Sequence, residues 1–513
     1  MRFVLRCCWV LPLMLLGGRL PVAQAQATLS LCTADLPAAI ETVTERPEWA
    51  RSRWGLLVQT QDGDATLYAR EAEAFFLPAS ATKLLTTAAI LHRLGPDFRI
   101  RTPVSAIGTA PTLDRLQLDG RGDPSMQRGQ LRALAQTLQL QGVEQIRELV
   151  VTDRYFQHDP LHPTWELEDV LFYYGTAVNS LILDDNAVAL TLYPQALGEP
   201  PRLVWGDRLA GQQWQIRNQA VTAASGTPDS IEMSGGLGTS VLNLRGAIAA
   251  DAEPDKFSMA IPNPARYFLD TLQAELADFG ITVAQAQIVP SPALAGELLG
   301  HLESPPLADL IRATNQPSNN VHAEALLQTL GVTTGQPEAA LTALQTALTE
   351  LGVESAAYQL RDGSGLSRHN LLSPMAVVQV LQGMARSPHF DTYRASLPVG
   401  GVSGTLRQRF QDTPLAGVVI AKTGTMTGVS TLSGYLNPSD YEPLVFSIMV
   451  NRSERSVTEQ RAAIDEIVLL LGRVQPCEDK AASVPWSMPP HAPASSPKMA
   501  TVYTQYGMIK RNN

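Results

Sequence analysis

The sequence predicts an α+β protein in which one mixed domain is split in two by a long, mainly β insertion. The first observation is a pattern of helix, two strands and helix between residues 36 and 94. The second is a pattern of three strands and a helix between residues 417 and 471. The third is the mostly β-like stretch at 98–261. We interpret 28–97 and 262–477 as the two halves of one domain, and 98–261 as an inserted region of two small domains.

The first half begins with a predicted helix at 36–46. Residues 53–60 have an apolar centre and β character, and an Asp-Gly turn signal separates them from a return strand at 65–72. Residues 80–94 contain strong helix formers and neither Gly nor Pro. The sequence therefore predicts a hairpin followed by a helix that begins at Ser80.

The second half contains a β-branched run at 417–425, which predicts a strand, and two more strand patterns at 429–436 and 444–450. An amphipathic pattern at 458–471 predicts the last helix. The inserted region contains predicted strands at 149–151, 180–192 and 203–205, and a helix is predicted at 264–280, at the start of the second half.

Both ends of the chain are predicted to lie outside the folded region. Arg2 and Arg6 form a basic segment before a short apolar run at 7–16, which leads to a small-residue cleavage site, so we interpret 1–25 as a signal peptide. A membrane anchor is the alternative, and the shortness of the run disfavours it. Residues 478–513 are rich in Pro, Ala and Ser and predict a disordered tail. After cleavage we expect a periplasmic or secreted protein without a transmembrane segment.

Charge and cysteine content narrow the classes of protein. The formal net charge is −10 and no basic run occurs, which argues against a nucleic-acid partner. Cys32 and Cys477 are the cysteines that remain after the signal peptide, and in an exported protein they can form a disulfide; two free thiols are the alternative. The eight His have neither metal-ligand spacing nor a catalytic-triad context, so we expect no metal.

Lysine usage locates the candidate chemistry. Six Lys accompany thirty-three Arg, and two of the six lie in Ser80-Ala81-Thr82-Lys83 and Lys422-Thr423-Gly424-Thr425, with Ser318-Asn319-Asn320 between them. Arg stays protonated, whereas the pKa of a Lys can be lowered until it acts as a base. Ser-x-x-Lys, Ser-x-Asn and Lys-Thr-Gly, in that order, form the motif set of serine acyl-enzymes that react with penicillin.

The first motif supplies a nucleophile and its base. A Ser hydroxyl needs an adjacent base, and Lys83 lies one helical turn from Ser80. Burial and the nearby positive charge of Lys422 would lower the pKa of Lys83 enough for this role. We therefore predict that Ser80 is the nucleophile.

The other two motifs would orient the substrate and assist departure of the leaving group. Ser318 can relay a proton to a departing amine, and Asn320 can orient a peptide bond. The backbone N–H groups of Ser80 and Thr425 could form an oxyanion hole. Lys422 with Thr423, Gly424 and Thr425 suits a terminal carboxylate, although the two Thr could instead be ordinary β-branched strand residues.

Further segments give the chain a family resemblance. They are Asp362-Gly363-Ser364-Gly365-Leu366-Ser367-Arg368, Ser304-Pro305-Pro306-Leu307, Ala323-Glu324, Gly122-Asp123-Pro124, Asp153 with Phe156, and Asn186. With them, residues from about 30 to 475 resemble the low-molecular-weight class C penicillin-binding proteins of the D-alanyl-D-alanine carboxypeptidase/endopeptidase (penicillin-binding protein 4, DacB) type. The resemblance implies a serine β-lactamase/DD-transpeptidase-like domain, an antiparallel sheet flanked by helices, and no cofactor.

The same resemblance implies peptidoglycan stem peptides as substrates and β-lactam antibiotics as covalent inhibitors. Asp153 would pair with the ammonium group, and Arg368 with the carboxylate, of a diamino-acid side chain. The alternatives are a turn cap for Asp153 and a solvated or ion-paired role for Arg368.

We thus expect a serine DD-peptidase that cleaves D-Ala-D-Ala bonds as a carboxypeptidase and D-Ala–diamino acid cross-links as an endopeptidase. A β-lactamase or esterase on the same fold is one alternative, which the long insertion disfavours. A non-catalytic peptidoglycan-binding protein is the other, which the intact Ser80, Lys83 and Lys422 disfavour.

Overall fold

The structure, a computed structural model, describes residues 30–236, 239–290 and 296–477. The described residues up to Pro476 form one compact unit. The predicted signal peptide at 1–25 and the predicted tail at 478–513 lie outside the described residues, so both stay predictions. Within the described ranges, no helix combines the length and apolar character needed to cross a membrane.

The chain contains both helices and strands throughout the described ranges. The helices are α1 Leu36–Thr44, α2 Thr82–Leu94, α3 Arg128–Leu140, α4 Arg208–Gly211, α5 Pro264–Asp278, α6 Leu307–Asn315, α7 Asn320–Thr333, α8 Ala340–Glu350, α9 Pro374–Ala385, α10 Phe390–Ala395 and α11 Val457–Leu471. The strands are β1 Leu31–Cys32, β2 Arg53–Thr60, β3 Thr66–Arg70, β4 Arg101–Thr109, β5 Thr112–Asp119, β6 Gln145–Thr152, β7 Ala187–Tyr193, β8 Arg202–Trp205, β9 Gln215–Asn218, β10 Val221–Ala223, β11 Glu232–Gly235, β12 Val241–Arg245, β13 Ala247–Ala249, β14 Asp255–Ala260, β15 Thr282–Val289, β16 Glu297–Glu303, β17 Tyr358–Gln359, β18 Leu371–Leu372, β19 Ile420–Met426, β20 Val429–Leu436, β21 Leu444–Asn451 and β22 Val474–Gln475.

One antiparallel sheet joins the two ends of the sequence. Its strand order is β19-β20-β21-β2-β3, so the N-terminal hairpin pairs with the last long strand. Every residue of β20 and β21 is buried, because helices cover both faces of the sheet. The predicted α+β class, with an antiparallel sheet flanked by helices, is confirmed.

Two apolar cores hold this sheet between helices. One core contains α2 with residues of α6 to α9, and the other contains α1 and α11. Helix α2 is buried on every side from Thr82 to Leu91. Its sequence fits this position, because apolar and Thr residues surround the helix instead of forming a single apolar face. A one-turn 3-10 helix at Ala79–Ala81 leads into α2, so the predicted helix start at Ser80 is wrong by two residues.

The inserted region has its own five-stranded sheet, ordered β15-β6-β5-β4-β16, with smaller sheets built from β7 to β14. The predicted end of the insertion at residue 261 is wrong, because β15 pairs with β6 and β16 pairs with β4. The insertion's core also contains Phe268 and Leu272 of α5. Strand and helix patterns do not reveal which sheet an element joins, and these pairings connect residues that are distant in sequence.

Two further expectations for the insertion need correction. The predicted strand at 180–192 is a strand only from Ala187 to Tyr193, since a 3-10 turn at Asp184–Asn186 precedes it. The mainly β stretch also contains α3, which begins after Gln127, whose backbone N–H donates to Gln130 Oε1 at 2.7 Å. Glutamine is an uncommon N-cap residue, which explains why the start of α3 carried no clear signal.

Candidate active site

The 3-10 turn at Ala79–Ala81 places Ser80 just before α2, and Lys83 follows one turn later. Lys83 Nζ lies 3.0 Å from Ser80 Oγ. Lys83 is completely buried, whereas Ser80 is half-buried and lines a cleft. The local spacing therefore produces the nucleophile-and-base contact that the Ser-x-x-Lys motif predicts.

Two carbonyl oxygens fix the orientation of the Lys83 amine. Nζ donates to Asn320 Oδ1 at 2.6 Å and to the backbone oxygen of Ser364 at 2.7 Å. Both partners can only accept. A neutral amine would spend its two N–H bonds on them and would keep its lone pair for the hydroxyl hydrogen of Ser80.

Burial lowers the pKa of Lys83 from 10.5 to about 7, and the negative charges of Asp362 and Glu324 oppose this fall. A base with a pKa near 7 is well matched to proton transfer at neutral pH. The expectation that Lys422 would help lower this pKa is wrong, because burial is what lowers it. Burial also lowers the pKa of Lys422 well below its usual value, and there the charge of Lys83 adds to the effect.

The second serine lies opposite the first. Lys422 Nζ donates to Ser318 Oγ at 2.8 Å and to the backbone oxygen of Thr423 at 2.9 Å. Ser318 has a φ of 66°, a left-handed conformation that is rare for a residue other than glycine. Backbone strain of this kind concentrates at functional sites, because the surrounding structure must enforce it.

Helix α7 carries Asn320 at its first position. Asn319 caps the helix, since its side chain accepts from the backbone N–H of His322 at 3.1 Å. Asn320 Nδ2 donates to the backbone oxygen of Tyr174 at 2.7 Å, while its Oδ1 accepts from Lys83. Because Tyr174 belongs to the insertion, the inserted region helps to orient a residue beside the nucleophile.

Strand β19 brings the Lys-Thr-Gly motif against the turn that contains Ser80. A Cβ at Gly424 would lie 2.3 Å from Thr431 Oγ1, 2.7 Å from the backbone oxygen of Pro78 and 3.1 Å from the backbone nitrogen of Ser80. Only glycine permits this approach, which sets the backbone of β19 beside the Ser80 N–H. Thr425, on the next position, is exposed and lines the same cleft.

The segment after β17 contains the Ser364 carbonyl that contacts Lys83, and buried hydrogen bonds hold this segment in place. Asp362 is fully buried, and its carboxylate accepts from the backbone N–H groups of Gly365 at 2.8 Å and Ser367 at 2.7 Å. Trp165 of the insertion donates its indole N–H to the same carboxylate at 2.9 Å. These bonds shape the loop whose Ser364 carbonyl contacts Lys83.

Glu324 of α7 is a second buried acid beneath this loop. It accepts from the backbone N–H groups of Gly363 at 3.0 Å and Ser364 at 2.7 Å. Burial raises the pKa of Glu324, and the charge of Asp362 adds to this rise. Glu324 therefore supports, from α7, the loop whose Ser364 carbonyl contacts Lys83.

Ser80 opens into a cleft of about 440 Å³. Strand β19 contributes Thr423 and Thr425 to one wall, and the insertion contributes Asp169, Tyr173 and Tyr174 to another. The polar lining also includes Ser318, Asn320, Arg368, Thr405, Thr427 and Arg461. The three motifs therefore meet at one cleft, as the sequence analysis predicted.

The structure does not bring Asp153 to this cleft. Its carboxylate accepts from Asn179 Nδ2 at 2.9 Å and from the backbone N–H of Ser180 at 2.8 Å, and it lines a separate cavity. Both of its oxygens thus hold a loop together, which was the alternative interpretation. The acid that the insertion presents to the cleft is Asp169, on a short 3-10 turn.

Arg368 does line the cleft, where its Nε lies 2.8 Å from Glu166 Oε1. Burial raises the pKa of Asp169, and the charge of Arg368 counteracts that rise. The two groups therefore interact across one end of the cleft. Sequence reasoning missed Asp169, Trp165 and Arg461, because none lies in a recognisable motif, although Asp362 and Glu324 were visible in the family segments.

Two other expectations concern cysteines and metal ions. Cys32 and Cys477 are each disulfide-bonded. In the described ranges, no group of three or more His, Cys, Asp or Glu is arranged to hold a metal ion.

This site places the chain in the class of serine acyl-enzymes. A buried lysine with a lowered pKa is hydrogen-bonded to Ser80, and a second Ser–Lys pair, Ser318 with Lys422, lines the same cleft. Comparison with known proteins identifies the family within that class. The model of the D-Ala-D-Ala carboxypeptidase 3 (S13) family matches residues 36–472. The chain belongs to this family, as the resemblance stated above implied.

Individual relatives agree with this assignment. The chain is 34% identical over 464 residues to a D-alanyl-D-alanine carboxypeptidase of Actinomadura sp. (strain R39), which covers 86% of this chain and 85% of that protein. It is 27% identical over 391 residues to D-alanyl-D-alanine carboxypeptidase DacB of Haemophilus influenzae, with 74% and 81% covered. The crystal structure of penicillin binding protein 4 (dacB) from Haemophilus influenzae has a TM-score of 0.75 at 25% identity, covering 84% of this chain and 98% of that one.

Proposed function

We propose that this chain is a serine DD-peptidase that hydrolyses peptide bonds following D-alanine in peptidoglycan stem peptides. The observation that carries the proposal is the 3.0 Å contact between Ser80 Oγ and the buried Lys83 amine. Membership of a D-Ala-D-Ala carboxypeptidase family supplies the substrate class. The mature protein would act outside the cytoplasm, where such peptides occur.

In the acylation step, Ser80 Oγ attacks the carbonyl carbon while Lys83 takes the hydroxyl proton. The negative charge on the carbonyl oxygen would be held by the backbone N–H groups of Ser80 and Thr425, and one such donor is worth about 2.7–4 kcal/mol. The C–N bond then breaks. The leaving amine takes a proton from Ser318 Oγ, which regains one from the lysine pair, so the proton lost by Ser80 leaves with the product.

In the deacylation step, a water molecule takes the place of the amine. Lys83 accepts one proton from the water as its oxygen bonds to the acyl carbon, and the ester bond to Ser80 Oγ breaks as that oxygen is reprotonated. The amide of Asn320 and the hydroxyl of Thr423 would position the acyl chain and the leaving residue. β-Lactams, which contain a strained amide and a carboxylate, would acylate Ser80 and leave slowly. A related Haemophilus influenzae structure contains a β-lactam.

The cleft also supports recognition of a zwitterionic diamino-acid side chain. Asp169 would pair with the ammonium group and Arg368 with the carboxylate, since both line the cleft and interact electrostatically. Charge-assisted pairs of this kind are stronger than neutral hydrogen bonds. Incubation with defined muropeptides, followed by mass spectrometry of the products, would separate carboxypeptidase from endopeptidase activity.

The nucleophile assignment is tested by covalent labelling with a fluorescent penicillin. Ser80→Ala should abolish labelling. Ser495→Ala, which alters the tail's Ser495-Ser496-Pro497-Lys498 sequence, serves as the matched control and should keep it. Covalent labelling that persists in folded Ser80→Ala protein would refute the proposal.

A further inference from the structure

Arg461 is a cation at the edge of the cleft to which none of the three motifs assigns a role. It is the fifth residue of α11, the helix that packs on the opposite face of the central sheet. Its side chain passes the end of β19, where Nη2 donates to Thr425 Oγ1 at 3.1 Å. Arg461 thus lines the same cleft as Ser80 while belonging to a helix outside the catalytic core.

No carboxylate of the described residues forms a salt bridge with Arg461, and the charge of Asp465 only partly offsets the burial and the Arg409 charge that lower the pKa of Arg461. Asp465 is the acid one turn further along α11, but its carboxylate is held by Arg409, whose Nε lies 3.0 Å and 3.1 Å from the two oxygens. The salt bridges of the described residues include the Arg409–Asp465 pair and none to Arg461. The guanidinium therefore keeps unused donors directed at a solvent-accessible cleft.

The neighbours of Arg461 indicate which anion it would bind. Side chains two residues apart on a strand share a face, so Thr423 and Thr425 both lie on one side of β19. Thr423 Oγ1 donates to Thr405 Oγ1 at 2.8 Å, and Thr405 lines the cleft as well. Three hydroxyl groups and a guanidinium hence form one polar row beside the Lys422–Ser318 pair, where the proposed mechanism has Ser318 protonate the leaving amine.

A D-alanyl-D-alanine peptide has its carboxylate on the side of that leaving amine. Only the amide nitrogen and one carbon separate the carboxylate from the carbonyl that Ser80 attacks, so the anion must lie next to the Lys-Thr-Gly strand. A planar guanidinium matches a carboxylate with two parallel hydrogen bonds, which a hydroxyl cannot do.

We infer that Arg461 is a specificity-determining residue that binds the free C-terminal carboxylate of the leaving residue, together with Thr425. This inference rests on the proposed DD-peptidase function and deepens it. A substrate that ends in a carboxylate would gain binding energy from Arg461. A substrate that presents a neutral group at the same position would not.

Two thioesters that differ in one group give the sharpest test. They are an N-acyl-D-alanyl thioglycolate, which ends in a carboxylate, and the corresponding thioglycolamide, which is neutral. Arg461→Gln should lower kcat/KM for the thioglycolate about tenfold relative to the thioglycolamide, because only the thioglycolate has a carboxylate for Arg461 to bind. A tenfold change corresponds to about 1.4 kcal/mol. Arg461→Lys should recover part of the ratio, because it keeps the charge without the planar fork.

Arg455→Gln is the matched control. Arg455 lies just before α11 and pairs with Glu459, and it does not line the cleft. It should leave the ratio of the two kcat/KM values unchanged. An unchanged ratio in Arg461→Gln would overturn the inference, and so would an equal loss with both thioesters, which would indicate a structural role. Failure of the proposed function itself would give a different result: the Ser80→Ala protein would still hydrolyse both thioesters.

Discussion

The low pKa of Lys83 makes a quantitative prediction about the pH dependence of acylation. Lowering the pKa from 10.5 to about 7 leaves about half of the Lys83 side chains neutral at pH 7. With the ordinary value, about one side chain in three thousand would be neutral at that pH. Burial thus increases the concentration of the base form by a factor on the order of a thousand.

The acylation rate should fall as the pH is lowered, because Lys83 acts as a base and must be neutral to accept the Ser80 proton. The second-order rate constant for acylation by a fluorescent penicillin, measured by stopped flow, should rise about twofold above pH 7 and reach a plateau at about pH 8. Below pH 7 it should fall, approaching a tenfold loss per pH unit. Lys83→Arg should lower the rate at pH 8 by at least a thousandfold, because a guanidinium stays protonated.

Lys256→Arg is the matched control for this series, since Lys256 is an exposed lysine of β14 in the insertion. It should reproduce the unmodified profile. A rate that does not change between pH 5 and pH 9, or a midpoint near 10, would contradict the assignment of Lys83 as the base. Substantial acylation by a folded Lys83→Arg protein would contradict it equally.

Two further predictions concern groups that hold the site in shape. Gly424→Ala should lower the free energy of unfolding by about 1–3 kcal/mol and slow acylation at least tenfold, because its Cβ would lie 2.3 Å from Thr431 Oγ1; denaturant unfolding and penicillin labelling would measure both effects. Trp165→Phe should lower the free energy of unfolding by about 1–2 kcal/mol and also slow acylation, because the Asp362 carboxylate loses a hydrogen-bond donor. Trp214→Phe, which removes a buried indole bond to Ala260 within the insertion, should cost similar stability without slowing acylation; equal acylation rates in the two Trp variants would argue against a link between Trp165 and the site.

The parts of the site that the sequence predicted are those fixed by local geometry. Ser80 and Lys83 are one helical turn apart, so their contact follows from the helix alone. Scarcity of lysine made Lys83 and Lys422 stand out, because Arg cannot serve as a base. Thr423 and Thr425 followed from their place beside Lys422 on a strand.

The parts that were missed depend on contacts between distant segments. Asp153 and Asp169 are both acids in loops of the insertion, and which of them faces the cleft is decided by the packing of those loops. Arg461 is one of thirty-three arginines, and only the position of α11 relative to β19 distinguishes it. The end of the insertion was misplaced for the same reason, since the parallel pairing of β15 with β6 has no local signal.

The order of strands in the central sheet has a consequence for biosynthesis. Because β2 pairs with β21, the hairpin that precedes the nucleophile cannot complete its sheet until a strand much later in the sequence has been synthesised. Lys422 also arrives late, whereas Ser80 emerges early. An unfinished chain would therefore hold a serine without its complete set of partners, and the hydrolase would become competent only when synthesis of the folded unit is complete.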